Sequence, residues 1–384
     1  MRYRVTCLTP LLVGDGRKLA PIDYMVWKDH VNVLDQRRIF RLLSKGPRLD
    51  SYLSQLKRAD KLDFASWGGF AQNFADRRIP FEHPSCAAHW ERSHAETLHI
   101  PTFAAGLQGP YLPASALRGA LRTGLLFAGL KDGSLDKLAA LFQSERPPRR
   151  PAEPLEDRVL GSGGSSRMRF LQASDSAAVP VTSLKIFMLR VASMRSRGRD
   201  GIELGWKQSQ KGASDGRKPE EGTALFAEMA APGTVFEGSW RESEFLAQAG
   251  ILRALNWREP MTRAALFDAV NSYALALLNT HQHYAEATGL TLVRQDLERL
   301  ESRLAEARQG GQACLLPLGW GVGLLGHVAW LKTEDPVYRE IIGQTRLYSR
   351  SMYPGLPFPK TRRIVFLDDR PATLPGWALL EVVE

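Results

Sequence analysis

The sequence predicts an α+β protein built from two units, and three observations lead there. The chain has 384 residues, more than a single core of ordinary size accommodates. Segments with strand alternation and segments with helical period succeed one another along its length. The stretch ERPPRRPAEPLEDR, from Glu145, followed by the cluster Gly161–Ser166, has the composition of a linker. The expected boundary lies within residues 145–170, giving units over 1–150 and 151–384, the first free to borrow strands from later in the chain.

Composition narrows the function. A net charge of +10 and a pI near 9.6 favour a polyanionic partner. Nucleic acid is preferred to a membrane, because no run of 18 or more apolar residues occurs and MRYRVTCLTP is not a signal peptide. Cys7, Cys86 and Cys314 lie far apart without CxxC spacing. That pattern argues against a zinc ribbon or a disulfide framework and for a reducing, cytoplasmic setting.

Residues Tyr3–Thr9 alternate as a strand. In TPLLVGDGRK, Gly14 and Gly16 flank Asp15 and precede Arg17 and Lys18. Such a turn lets backbone approach a phosphate while two cations neutralise it, although glycines in turns more commonly serve only the turn. Asp23–Trp27 and Val31–Asp35 form a hairpin around Lys28-Asp29-His30. Two short helical patterns follow from Gln36 to Lys57, broken at Gly46-Pro47. His83, His89, His94 and His99 surround Cys86, but their spacings of six, five and five put no ligand pair on one helical face, so a loop-rich insertion is expected rather than a metal site.

The stretch Tyr111–Phe127, YLPASALRGALRTGLLF, reads as an extended entry followed by an amphipathic helix. Pro113 disfavours a helical Leu112, and Ser115 suits the role of cap. Leu117, Ala120, Leu121 and Leu125 form an apolar face, and Arg118 and Arg122, four apart, project together. A helix start with free N–H groups beside two arginines suits a phosphate; the alternative is a packed helix with two solvated arginines.

A short helix at Leu135–Phe142 comes next, then strands at Val181–Ser193 and Thr223–Trp240, the latter interrupted at Ala231-Pro232-Gly233. Between Arg190 and Lys218, eight Lys/Arg face three Asp/Glu, marking either a solvated loop or a basic arm that orders on nucleic acid. Helical period dominates Met261–Tyr284 and Leu290–Arg308; His281 and His283, two apart, are expected at the surface or in caps. In CLLPLGWGVGLLGHVAWL, Gly319, Gly321, Gly323 and Gly326 demand close backbone approach. The GxGxxG spelling lacks a βαβ context, so a nest of N–H groups for a nucleic-acid phosphate is preferred to dinucleotide binding. Arg346, Arg350, Lys360, Arg362 and Arg363 then supply five cations without an acid, interleaved with Tyr348, Tyr353 and Phe358, which suit base stacking.

Three of these motifs together resemble the RAMP superfamily of CRISPR effector subunits: the strand leading into TPLLVGDG, the helix start YLPASALRGALR, close in pattern to IPGSSLKGALR, and the late LGWGVGLLG. The closing FPKTRRIVF and PGWALLEV look most like the type III-A Csm-complex subunit at the 3′ end of the guide RNA. The resemblance implies two ferredoxin-like (RRM-like) βαββαβ units with helical and loop insertions, binding to CRISPR RNA, and other RAMP subunits as neighbours. It carries the superfamily's glycine-rich loop onto Leu318–Gly326 and its helix start onto Pro113, Ser115, Leu117, Arg118 and Gly119. Aromatic RNP motifs are absent, so stacking on the sheet face is not expected.

The expected function is therefore that of a non-catalytic, cofactor-free subunit that caps the guide 3′ end and supports guide maturation, with a trimming nuclease as a possible further partner. Its RNA contacts are expected at Gly14, Gly16, Arg17, Lys18, Ser115, Arg118, Arg122, Gly319, Gly321, Gly323, Arg346, Lys360, Arg362 and Arg363. The alternative is a ribonuclease using Asp23, which stands about where backbone subunits of the superfamily carry a cleaving aspartate, or His30, for which the sequence offers no partner.

Overall fold

The computed structural model describes residues 1–46, 48–58, 61, 73–144, 149–198, 201–208, 215–345, 348–353 and 355–383. Strand β1 (Arg2–Cys7) alternates so that Tyr3, Val5 and Cys7 are buried. After the short β2 (Lys18–Leu19), the hairpin of β3 (Tyr24–Trp27) and β4 (His30–Leu34) turns at Lys28, whose φ is +53°. Helices α1 (Gln36–Leu43) and α2 (Leu49–Arg58) follow, and β5 (Ala75–Pro80) adds a third strand to the hairpin. This insertion is tied to the body by a buried ion pair: Arg77 reaches both carboxylate oxygens of Glu228 at 2.5 and 3.1 Å. The carboxyl also accepts the Phe103 N–H, yet burial raises its pKa against the pull of Arg77.

Helix α3 (Ser85–Arg92) precedes β6 (Ile100–Pro101) and the small hairpin of β7 (Ala105–Gly106) and β8 (Gly109–Pro110). Helices α4 (Ala114–Gly129), α5 (Asp136–Gln143) and α6 (Glu153–Leu160) come next, then β9 (Leu171–Ala173). The stretch expected as a linker is thus built into the body where it is described. It carries α6, and Leu160, Met168 and Phe170 are buried. Its apolar residues sit among prolines and arginines, and composition alone masked them.

The expected strand at 181–193 is β10 (Leu184–Arg197), hairpinned to β11 (Gly201–Trp206). Much of the stretch read as a basic loop or arm is therefore paired strand; residues 199–200 and 209–214 lie outside the described residues. Strands β12 (Leu225–Ala230) and β13 (Val235–Glu242) flank the Pro-Gly break and enter different sheets. Beyond α7 (Ala249–Ala254) lie the long α8 (Arg263–Thr288) and α9 (Thr291–Gly310), each ended by a glycine at positive φ. The chain then forms β14 (Ala313–Pro317), α10 (Pro336–Gln344), β15 (Thr361–Leu367), β16 (Arg370–Thr373) and β17 (Trp377–Val383).

Two five-stranded antiparallel sheets result. The first runs β14-β17-β1-β13-β9, with β1 flanked by β13 and β17. Taken with α4 and α8, the order β17-β1-β13-β9 is a βαββαβ unit in the ferredoxin-like arrangement. Its two helices cross closely at Gly124, where a Cβ would stand 2.6 Å from Val270 Cγ2. The second sheet runs β11-β10-β15-β16, with β12 also on β10. On β10, Phe187 and Leu189 face one core while Ile186 and Met188 face another, the period of two of a strand buried on both faces. Helix α8 serves both cores in succession, Phe267 and Val270 in the first and Tyr273 and Leu277 in the second. Leu117 and Leu121 of α4 are fully buried, each contributing about 2 kcal/mol of apolar transfer.

Candidate nucleic-acid interface

The candidate interface centres on Trp320. Gly319, Gly321 and Gly323 have φ of +76°, +102° and +73°. A Cβ on Gly319 would stand 2.1 Å from the Leu12 carbonyl oxygen, and one on Gly321 would stand 2.8 Å from Pro375 Cγ. The loop is pressed onto the chain itself: Trp320 N–H donates to Leu12 at 2.7 Å and Leu318 N–H to Gly376 at 2.7 Å. Two of the glycines are therefore required by close packing, while the Gly323 position is open. Leu12 stands two residues before the GDG turn, so the two glycine-rich stretches, far apart in sequence, are joined by one backbone contact.

Strand β15 brings the arginines. Arg363 lies over the Trp320 ring, its Cζ 4.8 Å from the centroid, and its buried Nε has no hydrogen-bond partner among the described residues. Arg362 turns the other way. Its Nε donates to His281 Nδ1 at 3.1 Å, its Nη1 donates to the carbonyls of Pro359 and Thr361, and its Cζ sits 4.5 Å from the Tyr284 ring centroid. Burial lowers the pKa of Arg362 to about 10 and also lowers that of Arg363. His281 is buried, not at the surface as its spacing from His283 suggested; burial and the Arg362 charge hold its pKa well below the ordinary value. Both arginines line a groove of about 520 Å³ together with Trp320, Gly321, Gly323 and His327. Burial lowers the pKa of His327, partly offset by a hydrogen bond to the Gly319 backbone.

Lys360 stands 3.5 Å from the Tyr353 ring centroid, and burial together with Lys207 and Arg195 lowers its pKa against the pull of Asp215. Tyr353 and Arg350 are exposed, whereas Phe358 is buried edge-on to Tyr348 and is not free to stack on a base. Arg346 lies outside the described residues. In the GDG turn Gly16 has φ +89°, and Asp15 accepts the Arg17 N–H at 3.0 Å while pairing with its guanidinium at 3.3 Å. The Arg17 side chain is 81% exposed, and Lys18 is also exposed.

The start of α4 is differently used than its sequence suggested. Pro113 occupies the cap position, Ser115 is exposed and makes no cap, and Asp175 Oδ1 accepts the Ala114 N–H at 2.7 Å. A carboxylate from another segment thus stands where a phosphate was expected. Arg118 donates to the carbonyls of Leu171 and Met168, and Arg122 pairs with Glu156 at 2.5 Å. The two arginines bracket residues 156–171 against the helix, so in this structure they are engaged within the chain.

Asp23 is likewise committed. Its Oδ2 accepts the Ala20 N–H at 2.7 Å and its Oδ1 accepts Gln36 Nε2 at 2.8 Å. The His30 imidazole has no hydrogen-bond partner among the described residues. His83 binds Ser85 at the start of α3, His89 pairs with Asp369 at 2.8 Å, and no group of three or more metal-ligating side chains occurs among the described residues. No helix among the described residues is long and apolar enough to cross a membrane. Three residues escaped sequence reasoning: His281, Asp175 and Trp320. Only Trp320 left a signal, as an aromatic between two glycines.

A family model described as the RAMP superfamily matches residues 4–288. No curated protein matches the chain. Among solved structures, it is similar to a chain of the cryo-EM structure of a Csm-crRNA-target RNA ternary complex in a type III-A CRISPR-Cas system. That match has a TM-score of 0.69 and 20% identity, covering 99% of this chain and 100% of the other. It is also similar to the crystal structure of T. onnurineus Csm5, with a TM-score of 0.62 and 18% identity, covering 99% and 100%. The shared fold extends over essentially the whole of each chain.

Proposed function

The chain belongs to the RAMP superfamily, and from that premise we propose that it is an RNA-binding structural subunit of a type III-A CRISPR effector complex. It binds the guide RNA, caps its 3′ end and neighbours other RAMP subunits. One observation carries the RNA contact: the Arg363 guanidinium, its Nε unpartnered among the described residues, lies over Trp320 in a groove edged by Gly321 and Gly323. A desolvated guanidinium is held at a cost that a phosphate offsets through charge-assisted hydrogen bonds. The exposed Arg17 and Lys18, joined to the groove through Leu12 and Trp320, extend the cationic track. Contacts of this kind go to phosphate and ribose and do not read sequence, which suits a subunit serving many guides.

The subunit acts without catalysis or a cofactor. Both oxygens of Asp23 are held, one by Ala20 at the hairpin entry and the other by Gln36 of α1, which supports a structural role. Residues 1–150 and 151–384 are the proposed units, the first borrowing β9, β13 and β17 from later in the chain, and a trimming nuclease remains the proposed further partner.

The test is binding of the full chain to unrelated single-stranded RNAs across a salt series. Affinity is expected to be equal among sequences, with a log–log salt slope near −3.5 for about five neutralised phosphates. Arg363→Ala is expected to weaken all RNAs alike. A slope near zero or a sequence-selective loss would overturn the phosphate assignment. Incubation with guide-complementary RNA and Mg²⁺ should give no cuts; cuts that vanish in Asp23→Ala would make the chain a nuclease.

A further inference from the structure

A second basic concentration lies outside this groove, on the helical insertion. Between Gln36 and Arg58 stand Arg37, Arg38, Arg41, Lys45, Arg48, Lys57 and Arg58 against the single acid Asp50. All seven cations are exposed, and none forms an ion pair among the described residues. Within α1, Ile39 and Leu43, four apart, are buried against Tyr52 and Met25. Arg37, Phe40 and Arg41 fall at spacings of three and four on the opposite face. Phe40 is 51% exposed and Leu42 is 53% exposed.

This helix breaks local rules with limited compensation: Asp35 caps it by accepting the Arg38 N–H at 2.9 Å and Arg38 lies over the Phe74 ring, but Arg37, Phe40 and Arg41 take part in neither contact. Like charges four apart destabilise it, no acid lies within it to offset them, and a large ring stands in water. Its place is also informative. Gln36, in its first turn, donates to Asp23, and Asp23 accepts the Ala20 N–H two residues beyond Lys18. These bonds anchor the first turn of α1 to the segment Ala20–Asp23, which follows the Gly14–Lys18 turn in the chain.

We propose that the outer face of α1 and its flanking cations form a second RNA-binding surface, on which Arg37 and Arg41 hold phosphates and Phe40 stacks a base. The occupant is single-stranded RNA. Arginines in this number match phosphates in charge and fork geometry, and an exposed ring between them offers a platform for any base. An acidic protein surface would satisfy the cations but gives no use for the anchoring of α1 to the segment that follows the Gly14–Lys18 turn. This surface goes beyond the groove at Trp320 and is separable from it.

The test uses the full chain, an oligouridine long enough to reach both surfaces, and the variants Arg37→Glu/Arg41→Glu, Phe40→Ala and Arg363→Ala. All three α1 positions are exposed, so the fold is expected to hold, with circular dichroism as the check. The double charge reversal should weaken binding about tenfold and reduce the log–log salt slope by about 1.4, two phosphates' worth. Phe40→Ala should weaken binding severalfold with the slope unchanged, because stacking releases no counterions. Unchanged affinity and slope in the double variant, with Arg363→Ala still weakening binding, would overturn this surface and leave the groove standing. Unchanged RNA binding with loss of co-purifying subunits would likewise overturn it, assigning α1 to an acidic protein. Failure of the unmodified chain to bind RNA would overturn both.

Discussion

Arg362 donates through Nε to Nδ1 of His281 at 3.1 Å, and this one bond fixes both the tautomer and the charge of the imidazole. A ring that accepts at Nδ1 carries its proton on Nε2 and is neutral. Protonation would set two cations against each other in a buried site, so the native protein resists it.

The pH dependence of stability follows. The folded pKa of His281 lies well below its ordinary 6.5. As pH falls below about 7, the unfolded chain takes up a proton that the native state refuses, so stability declines toward about pH 5, by up to about 1.4 kcal/mol per pH unit. His281→Gln keeps an acceptor for Arg362 and removes the titration. Urea unfolding across this range should show a shallower decline in that variant. The comparison is needed because the raised carboxyls of Glu82, Glu228 and Asp296 act in the opposite direction, favouring the native state as pH falls.

Gly319→Ala should destabilise the protein by about 2–4 kcal/mol, since the new methyl meets the Leu12 carbonyl at a positive φ. Gly323→Ala, in open space at a similar φ, should cost about 1 kcal/mol. Thermal denaturation of the two variants provides the measurement; equal losses would contradict the close-packing account of the loop.

Arg118 and Arg363 are expected to behave in opposite ways. Arg118→Ala removes two donors from the carbonyls of Met168 and Leu171 and should lower stability by about 1–3 kcal/mol with little effect on the RNA affinity of the folded protein. Arg363→Ala should leave stability nearly unchanged and weaken RNA binding. Unfolding and RNA titration on the same preparations separate the two.

Arg77→Ala strands the Glu228 carboxylate in the interior and should cost about 3–5 kcal/mol. Adding Glu228→Gln should recover a large part of that loss. A double variant as unstable as the single one would show that Arg77 contributes mainly through packing.

The local elements were legible because their causes are local. The apolar spacing of Leu117, Leu121 and Leu125 predicts α4, and the alternation from Tyr3 predicts β1, both within a few residues of the observed bounds. Partnerships were not legible. Nothing near Arg118 announces that carbonyls some fifty residues away will occupy it, and nothing near Pro113 announces that Asp175 will cap the helix it opens. The Pro-Gly break after Ala231 was visible, but not that the chain there passes from one sheet to the other. Spacing placed His281 and His283 on different faces of α8, but which of those faces is covered depends on β15.

The position of β1 has a consequence for biosynthesis. Arg2 pairs with both Ser239 and Val383, so β1 must wait for β17, far later in the chain, before its second edge is closed. Such non-local pairing makes folding slow and leaves an open strand edge during translation. The groove is completed equally late, because Arg362 and Arg363 come from β15. A nascent chain interrupted before β15 and β17 would therefore lack both the groove and a finished sheet.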